Sequence, residues 1–182
     1  MICPASCAID SWGECKSVAV HSHQHIAEVR RDVCSLLRRH ATTPGRKAHV
    51  RCAQEAVELY DARIAGSLLN RSGRRLVLRL RCDGEVHKGD PDAYATCRAE
   101  DDEGACVISL RRGIWHDTRP CEVGGVPTGG DPVLFAALVI EHELGHLYHD
   151  LLRCRQGMRG DHDENWFRIM GAWFGHCTSY IR

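Results

Sequence analysis

The sequence predicts an α+β fold with N-terminal helices, a small antiparallel sheet and two further helices. Three patterns support this prediction. Apolar residues recur at helical spacing over residues 26–68, alternate with arginines over residues 75–81, and return to helical spacing after residue 131. The 182 residues are 43% hydrophobic and have a formal net charge of zero, so the chain can bury one core. We therefore expect a single domain over residues 21–182, preceded by a flexible tail over residues 1–20.

The N-terminal half predicts two amphipathic helices and a strand. One apolar stripe runs over residues 26–37, and a second begins at a Thr-Pro pair and runs over residues 43–68. Residues 70–73 contain the Asn, Ser and Gly that should end the second helix. Alternation over residues 75–81 predicts a strand with one buried face. A further strand is predicted over residues 105–110, and at a sheet edge it would offer its backbone to a peptide.

A longer helix is predicted over about residues 131–154. Asp131 followed by Pro132 favours this start, because aspartate caps backbone N–H groups and proline suits the first turn. Two glycines after residue 152 interrupt the periodicity, and a C-terminal helix follows over about residues 163–176. The apolar stripe of the longer helix should face the core, and it consists of Ile140, Leu144, Leu147 and Leu151.

The same helix contains the pentapeptide HELGH at residues 142–146. Histidines four positions apart lie on one face of a helix, so His142 and His146 can bind a single ion, with Glu143 beside them. Polar groups in an apolar helix are costly unless they are paired or bound to metal. The motif therefore predicts one Zn²⁺ per chain.

A catalytic zinc typically has three protein ligands and one water, so a third ligand is needed. The candidates lie in an acidic segment that also opens the C-terminal helix. His162 is the favoured ligand, because three neutral imidazoles suit zinc and leave Asp161 or Asp163 to orient them. Glu164, eighteen residues after His146, is the alternative ligand.

These residues carry a family resemblance that covers about residues 50–176. The chain resembles the SprT-like zinc metallopeptidases, the family of the Spartan catalytic domain, with Asp163 where that family has glycine. The resemblance implies a zincin-like minimal metallopeptidase core, a protein substrate and, in relatives, action on proteins crosslinked to DNA. HELGH with the downstream segment over residues 165–167 is also similar to the ImmA/IrrE-type metallopeptidases, which use an acidic third ligand. The SprT-like pattern is carried by His142, Glu143, His146, His162, Trp166 and Met170.

The expected reaction is hydrolysis of a peptide bond. A zinc with three protein ligands lowers the pKa of its bound water to about 7, and Glu143 would accept the proton and pass it to the leaving amine. Tyr148, His149 and His176 are candidates for supporting the ligands or the developing oxyanion, although a structural role suits each of them as well. The alternative function is a zinc-stabilised nucleic-acid-binding or regulatory module without proteolytic activity.

Charge and cysteine content bear on partners and compartment. Residues 1–81 hold 14 Lys and Arg against 7 Asp and Glu, so a basic surface for DNA is one interpretation and solvated helix faces are the other. Eleven cysteines without a C-x-x-C pair favour reduced thiols in the cytoplasm or nucleus. The sequence has neither a secretory signal pattern nor an uninterrupted apolar run that would span a membrane.

Overall fold

The computed structural model describes residues 20–41, 46–81, 93–98, 105–152 and 162–176. These residues form helices and two small sheets, so the α+β class is confirmed. The predicted tail, apart from Val20, lies outside the described residues, as does Asp161. In chain order the elements are α1 (His23–Ala41), α2 (Arg46–Arg63), α3 (Leu68–Ser72), β1 (Leu76–Arg81), β2 (Ala95–Arg98), β3 (Cys106–Arg111), a 3-10 helix (Arg112–His116), β4 (Glu122–Val123), β5 (Val126–Pro127), α4 (Pro132–Leu151), α5 (Glu164–Ile169) and a π-helical turn (Met170–Phe174).

The second predicted helix is divided into α2 and α3. Gly66 and Ser67 both have a φ of 61°, in the left-handed region that cannot continue a right-handed helix. Ile64 and Leu69 are buried on either side of this break, so the apolar pattern continues although the helix does not. The prediction of one helix to residue 68 was therefore wrong, because its periodicity passes through a turn.

The three-stranded sheet is mixed, with the order β1-β3-β2. Strand β2 pairs antiparallel with β3, but β1 and β3 run parallel. The prediction of an antiparallel sheet was wrong for this pair, because alternation along a strand does not specify the direction of its partner. Strand β3 is also central rather than an edge. Its residues from Cys106 to Leu110 are all buried, so both faces of this strand are covered.

Helix α4 runs through the core. Its predicted start is confirmed, since an oxygen of Asp131 accepts hydrogen bonds from the backbone N–H groups of Val133 at 2.9 Å and Leu134 at 3.4 Å. The helix ends at Leu151, slightly before the expected end. Helices α1 and α2 contact it, and β2 packs against it from the sheet. Its predicted core stripe is fully buried at Ile140, Leu144 and Leu147 and half-buried at Leu151.

The connection between β3 and α4 contains the 3-10 helix and the β4–β5 hairpin. Thr128 holds the base of the hairpin, because its side-chain oxygen accepts from the N–H of Cys121 and donates to the carbonyl of the same residue. At the tip, Gly124 approaches His176 so closely that a Cβ at position 124 would lie 2.2 Å from the imidazole Nδ1. The hairpin is thereby joined to the C-terminal segment.

Two expectations from composition concern membrane helices and cysteines. Within the described ranges, no helix combines the length and apolar character needed to cross a lipid bilayer. The cysteines described there are free thiols, and they are Cys34, Cys52, Cys97, Cys106 and Cys121.

Candidate metal centre

The structure brings together the three histidines that the sequence predicts as metal ligands. His142 and His146 lie one turn apart on α4, with their Nε2 atoms 3.2 Å from each other. His162 precedes α5, and its Nε2 lies 3.3 Å from Nε2 of His142. One ring nitrogen from each residue can be chosen so that all three atoms lie within 4.8 Å of one another. Three imidazole nitrogens therefore converge on one point.

This arrangement fits a small cation. Zinc binds imidazole nitrogen at about 2.0–2.1 Å in a tetrahedral geometry, which places neighbouring ligand atoms about 3.3 Å apart. The two separations from His142 match that spacing. A cation also satisfies several nitrogen lone pairs that face one another, whereas one shared proton satisfies only two. Histidine nitrogens are ligands for zinc and for several other first-row metals.

The environment keeps His142 ready to bind metal. Burial, together with the nearby rings of His162 and His176, lowers its pKa from 6.5 to about 4. The imidazole is therefore neutral at neutral pH, which is the form that binds a metal. In the unfolded chain His142 takes up a proton below pH 6.5, whereas in the folded, metal-free protein it does so only near pH 4. The stability of the metal-free protein therefore falls as the pH decreases from 6.5 to about 4.

An aromatic ring lies against all three imidazoles. The ring centroid of Trp166, in α5, is 5.0 Å from that of His142, 5.1 Å from His146 and 4.3 Å from His162. Met170 packs beside it against Gly145, the glycine of HELGH. The C-terminal helix thus packs at the candidate metal centre through Trp166 and Met170, two residues of the SprT-like pattern. It is α-helical only to Ile169 and continues as the π-helical turn.

Gly145 sets the approach of α5 to α4, and Gly145→Ala tests this. An added Cβ would lie 2.2 Å from Met170 Sδ and 3.2 Å from Trp166 Nε1, so α5 or the methionine must shift. We expect unfolding free energy to decrease by about 1–3 kcal/mol, as for other overpacked cores, and zinc to bind more weakly. Denaturant unfolding and zinc titration measure the two effects. In the double variant Gly145→Ala with Met170→Ala, the decrease in unfolding free energy should be smaller than the sum of the two single decreases. Additive decreases would contradict the contact.

Of the candidate residues that follow the metal ligands, His149 and Asp163 lie next to each other and Glu164 lies apart. Nε2 of His149 lies 2.9 Å from Oδ1 of Asp163, an ion-pair distance without hydrogen-bond alignment. Asp163 also caps α5 by accepting from the N–H of Trp166 at 2.9 Å. His149 therefore connects α4 to the residue that follows the third histidine. Glu164, the alternative ligand, is exposed in the first turn of α5 and is not in the cluster of donor atoms.

Two candidates for oxyanion stabilisation lie in the core instead of at the metal centre. Tyr148 is fully buried, and its hydroxyl donates to Asp61 at 3.3 Å. It follows His146 by two positions, about 200° around the helix, so it points away from the ligand face. His176 donates from Nε2 to Glu141 at 2.7 Å. In these positions Tyr148 and His176 have the structural role that the sequence also allows for them.

A buried network around Glu141 is the feature that sequence reasoning missed. Its carboxylate is fully buried and accepts two hydrogen bonds from Arg30, one from Tyr60 and one from His176, at 2.6 to 2.8 Å. Burial opposes ionisation, but the bonds and charges of His176 and Arg30 outweigh it and hold the pKa of Glu141 below its usual value. The network joins α1, α2 and the C-terminal segment to the residue before His142. The sequence feature that could have indicated this network is Glu141 itself, a charged residue within an apolar helix.

No protein-family model, curated protein or solved structure matches this chain. The SprT-like resemblance therefore rests on the motif residues and their spacing.

Proposed function

We propose that the protein is a zinc-dependent endopeptidase with a zincin-like core of the SprT type. The convergence of His142, His146 and His162 beside Glu143 is the observation that carries this proposal. Helix α4, which contains His142 and His146, packs directly against α5, and His162 lies just before α5. Three imidazoles with a neighbouring carboxylate are the side chains that metal-assisted hydrolysis requires.

The protein's own residues have separate tasks in this proposal. The three imidazoles would hold the metal, and zinc, when bound, lowers the pKa of its water to about 7 and polarises the scissile carbonyl. Glu143 follows the first ligand on α4 and, together with His142, forms part of the wall of a cavity. Its carboxylate accepts the proton of the attacking water and donates it to the leaving amine.

His162→Ala should remove the third ligand and lower zinc affinity by more than about 100-fold, because changes outside the direct ligands already cost about 10–100-fold. Glu164→Ala should leave zinc affinity unchanged. Metal content after dialysis and competition with a chromophoric chelator measure both. His116→Ala, which removes an exposed histidine of the 3-10 helix, is the control for losing an imidazole. Metal loss with Glu164→Ala alone would favour the acidic-ligand alternative.

A role for DNA-associated substrates is carried by the family resemblance alone. Several arginines of the basic N-terminal half are paired with carboxylates in the described structure, which reduces the predicted basic surface. The pairs are Arg30–Glu141, Arg38–Asp131, Arg51–Glu55 and Arg63–Asp32. Adding single-stranded DNA to the cleavage assay tests this part of the proposal independently of the metal chemistry.

A further inference from the structure

A cavity of about 540 Å³ opens beside the metal centre. One wall is α4, where Phe135, Val139 and His142 follow one another at steps of four and three and so share one face of the helix. Glu143 completes this wall. The face that presents the first metal ligand therefore continues as an apolar surface for two further turns.

The wall that adjoins α4 contains Tyr94, whose side chain is held in place. The ring of Tyr94, just before β2, meets Phe135 edge-to-face with centroids 4.7 Å apart. Its hydroxyl donates to Asp117 at 2.7 Å, and Arg119 pairs with the same carboxylate at 2.7 Å. The guanidinium groups of Arg111 and Arg119 also lie 5.5 and 5.7 Å from the Tyr94 centroid. Asp117 thus holds Tyr94 and Arg119 together at the rim of the cavity.

The remaining wall is the start of the β4–β5 hairpin, which contributes Pro120 and Val123. Glu122 adds an exposed carboxylate there, and Glu143 adds a second carboxylate near the metal ligands. Because Arg119 is paired with Asp117, the carboxylates of Glu122 and Glu143 make the cavity unfavourable for an acidic side chain. Its volume lies within the roughly 300–1,000 Å³ of small-ligand sites, so large side chains fit.

We propose that this cavity binds a bulky apolar side chain of the substrate, such as leucine, methionine or phenylalanine, next to the scissile bond. The inference rests on the proposed peptidase function and names its substrate class. A side chain that packs in this cavity against Phe135, Val139 and Val123 places the adjoining carbonyl beside His142 and Glu143. The cavity then provides sequence preference by burying apolar surface.

Cleavage of a mixed peptide library by the zinc-loaded full chain, with products sequenced by mass spectrometry, tests the preference. We expect bulky apolar residues at one position beside the cleaved bond to be favoured about tenfold or more over alanine. Val139→Phe and Val123→Phe narrow the cavity and should shift the preference to small residues. Val126→Phe is the matched control, because Val126 pairs with Val123 but does not line the cavity. Cleavage without any such preference, or with an acidic or basic one, overturns the proposal and leaves the peptidase intact.

A second measurement separates failure of the cavity from failure of the enzyme. If the zinc-loaded chain cleaves no more than Glu143→Gln, the peptidase function fails, and the cavity is tested by binding alone. The probes are 3-phenylpropanohydroxamate and acetohydroxamate, which carry the same metal-binding group with and without a bulky apolar side chain. We expect the first to bind about tenfold or more tightly and Val139→Phe to remove the difference. Equal affinities, including equal failure to bind, overturn the proposal.

Discussion

Replacing Glu143 by glutamine should reduce peptide hydrolysis by about 10²–10⁴-fold, the usual contribution of a general base, while zinc stays bound. Glutamine has nearly the same shape as glutamate, so this buried position stays filled, but an amide cannot accept the proton of the attacking water. The three imidazoles are unchanged, which is why metal binding should persist. Cleavage of a fluorogenic peptide and metal content, measured on the same preparation, give the two results.

Glu58→Gln, which changes an exposed carboxylate on α2 in the same way, is the control and should retain full activity. Cleavage by zinc-loaded Glu143→Gln at the parent rate would show that another group accepts the proton. If parent and variant both bind zinc and neither cleaves any substrate, the metal is structural. The non-proteolytic module then becomes the better interpretation.

Glu141→Leu should lower the free energy of unfolding by about 3–5 kcal/mol, the range measured when one partner of a buried ion pair is removed. Leucine fills similar volume but leaves the guanidinium of Arg30, whose side chain is 15% exposed, without its carboxylate. Arg30 keeps one bond, to the carbonyl of Phe174 at 2.5 Å, whereas the Tyr60 hydroxyl and His176 lose their acceptor. Denaturant unfolding of the metal-free protein measures the change.

The exposed i,i+4 ion pair of Arg51 and Glu55 is the control for losing a carboxylate. Glu55→Ala should lower the free energy of unfolding by less than about 1 kcal/mol. The double variant Arg30→Leu with Glu141→Leu should be less destabilised than Glu141→Leu, because no uncompensated charge remains. A loss below about 1 kcal/mol for Glu141→Leu would mean that the network adds little stability.

The features that the sequence predicts correctly are those that depend on residues close to one another along the chain. The start of α4 depends on Asp131 and Pro132, and the alignment of His142 with His146 depends on helical periodicity, so both follow from local rules. The position of His162 required a chemical argument about metal ligands. Even so, the structure brings it to the two motif histidines.

Features that depend on distant partners could not be predicted from the sequence. The acceptor of Tyr148 is Asp61, 87 positions earlier, and the partner of Glu141 is Arg30, 111 positions earlier. The pairing of β1 with β3 is parallel, and alternation along a strand does not determine the direction of its partner. The cavity is a further case, since it gathers its walls from β2, the hairpin and α4.

The four hydrogen bonds to Glu141 also fix how α4 is turned about its own axis. Rotating that helix enough to redirect His142 would break them together, since the two residues are adjacent. The orientation of the candidate metal ligands on α4 therefore depends on side chains of α1, α2 and the C-terminal segment that lie outside the histidine cluster. Substitutions of Arg30 or Tyr60 should accordingly change the orientation of His142, although neither residue belongs to the histidine cluster.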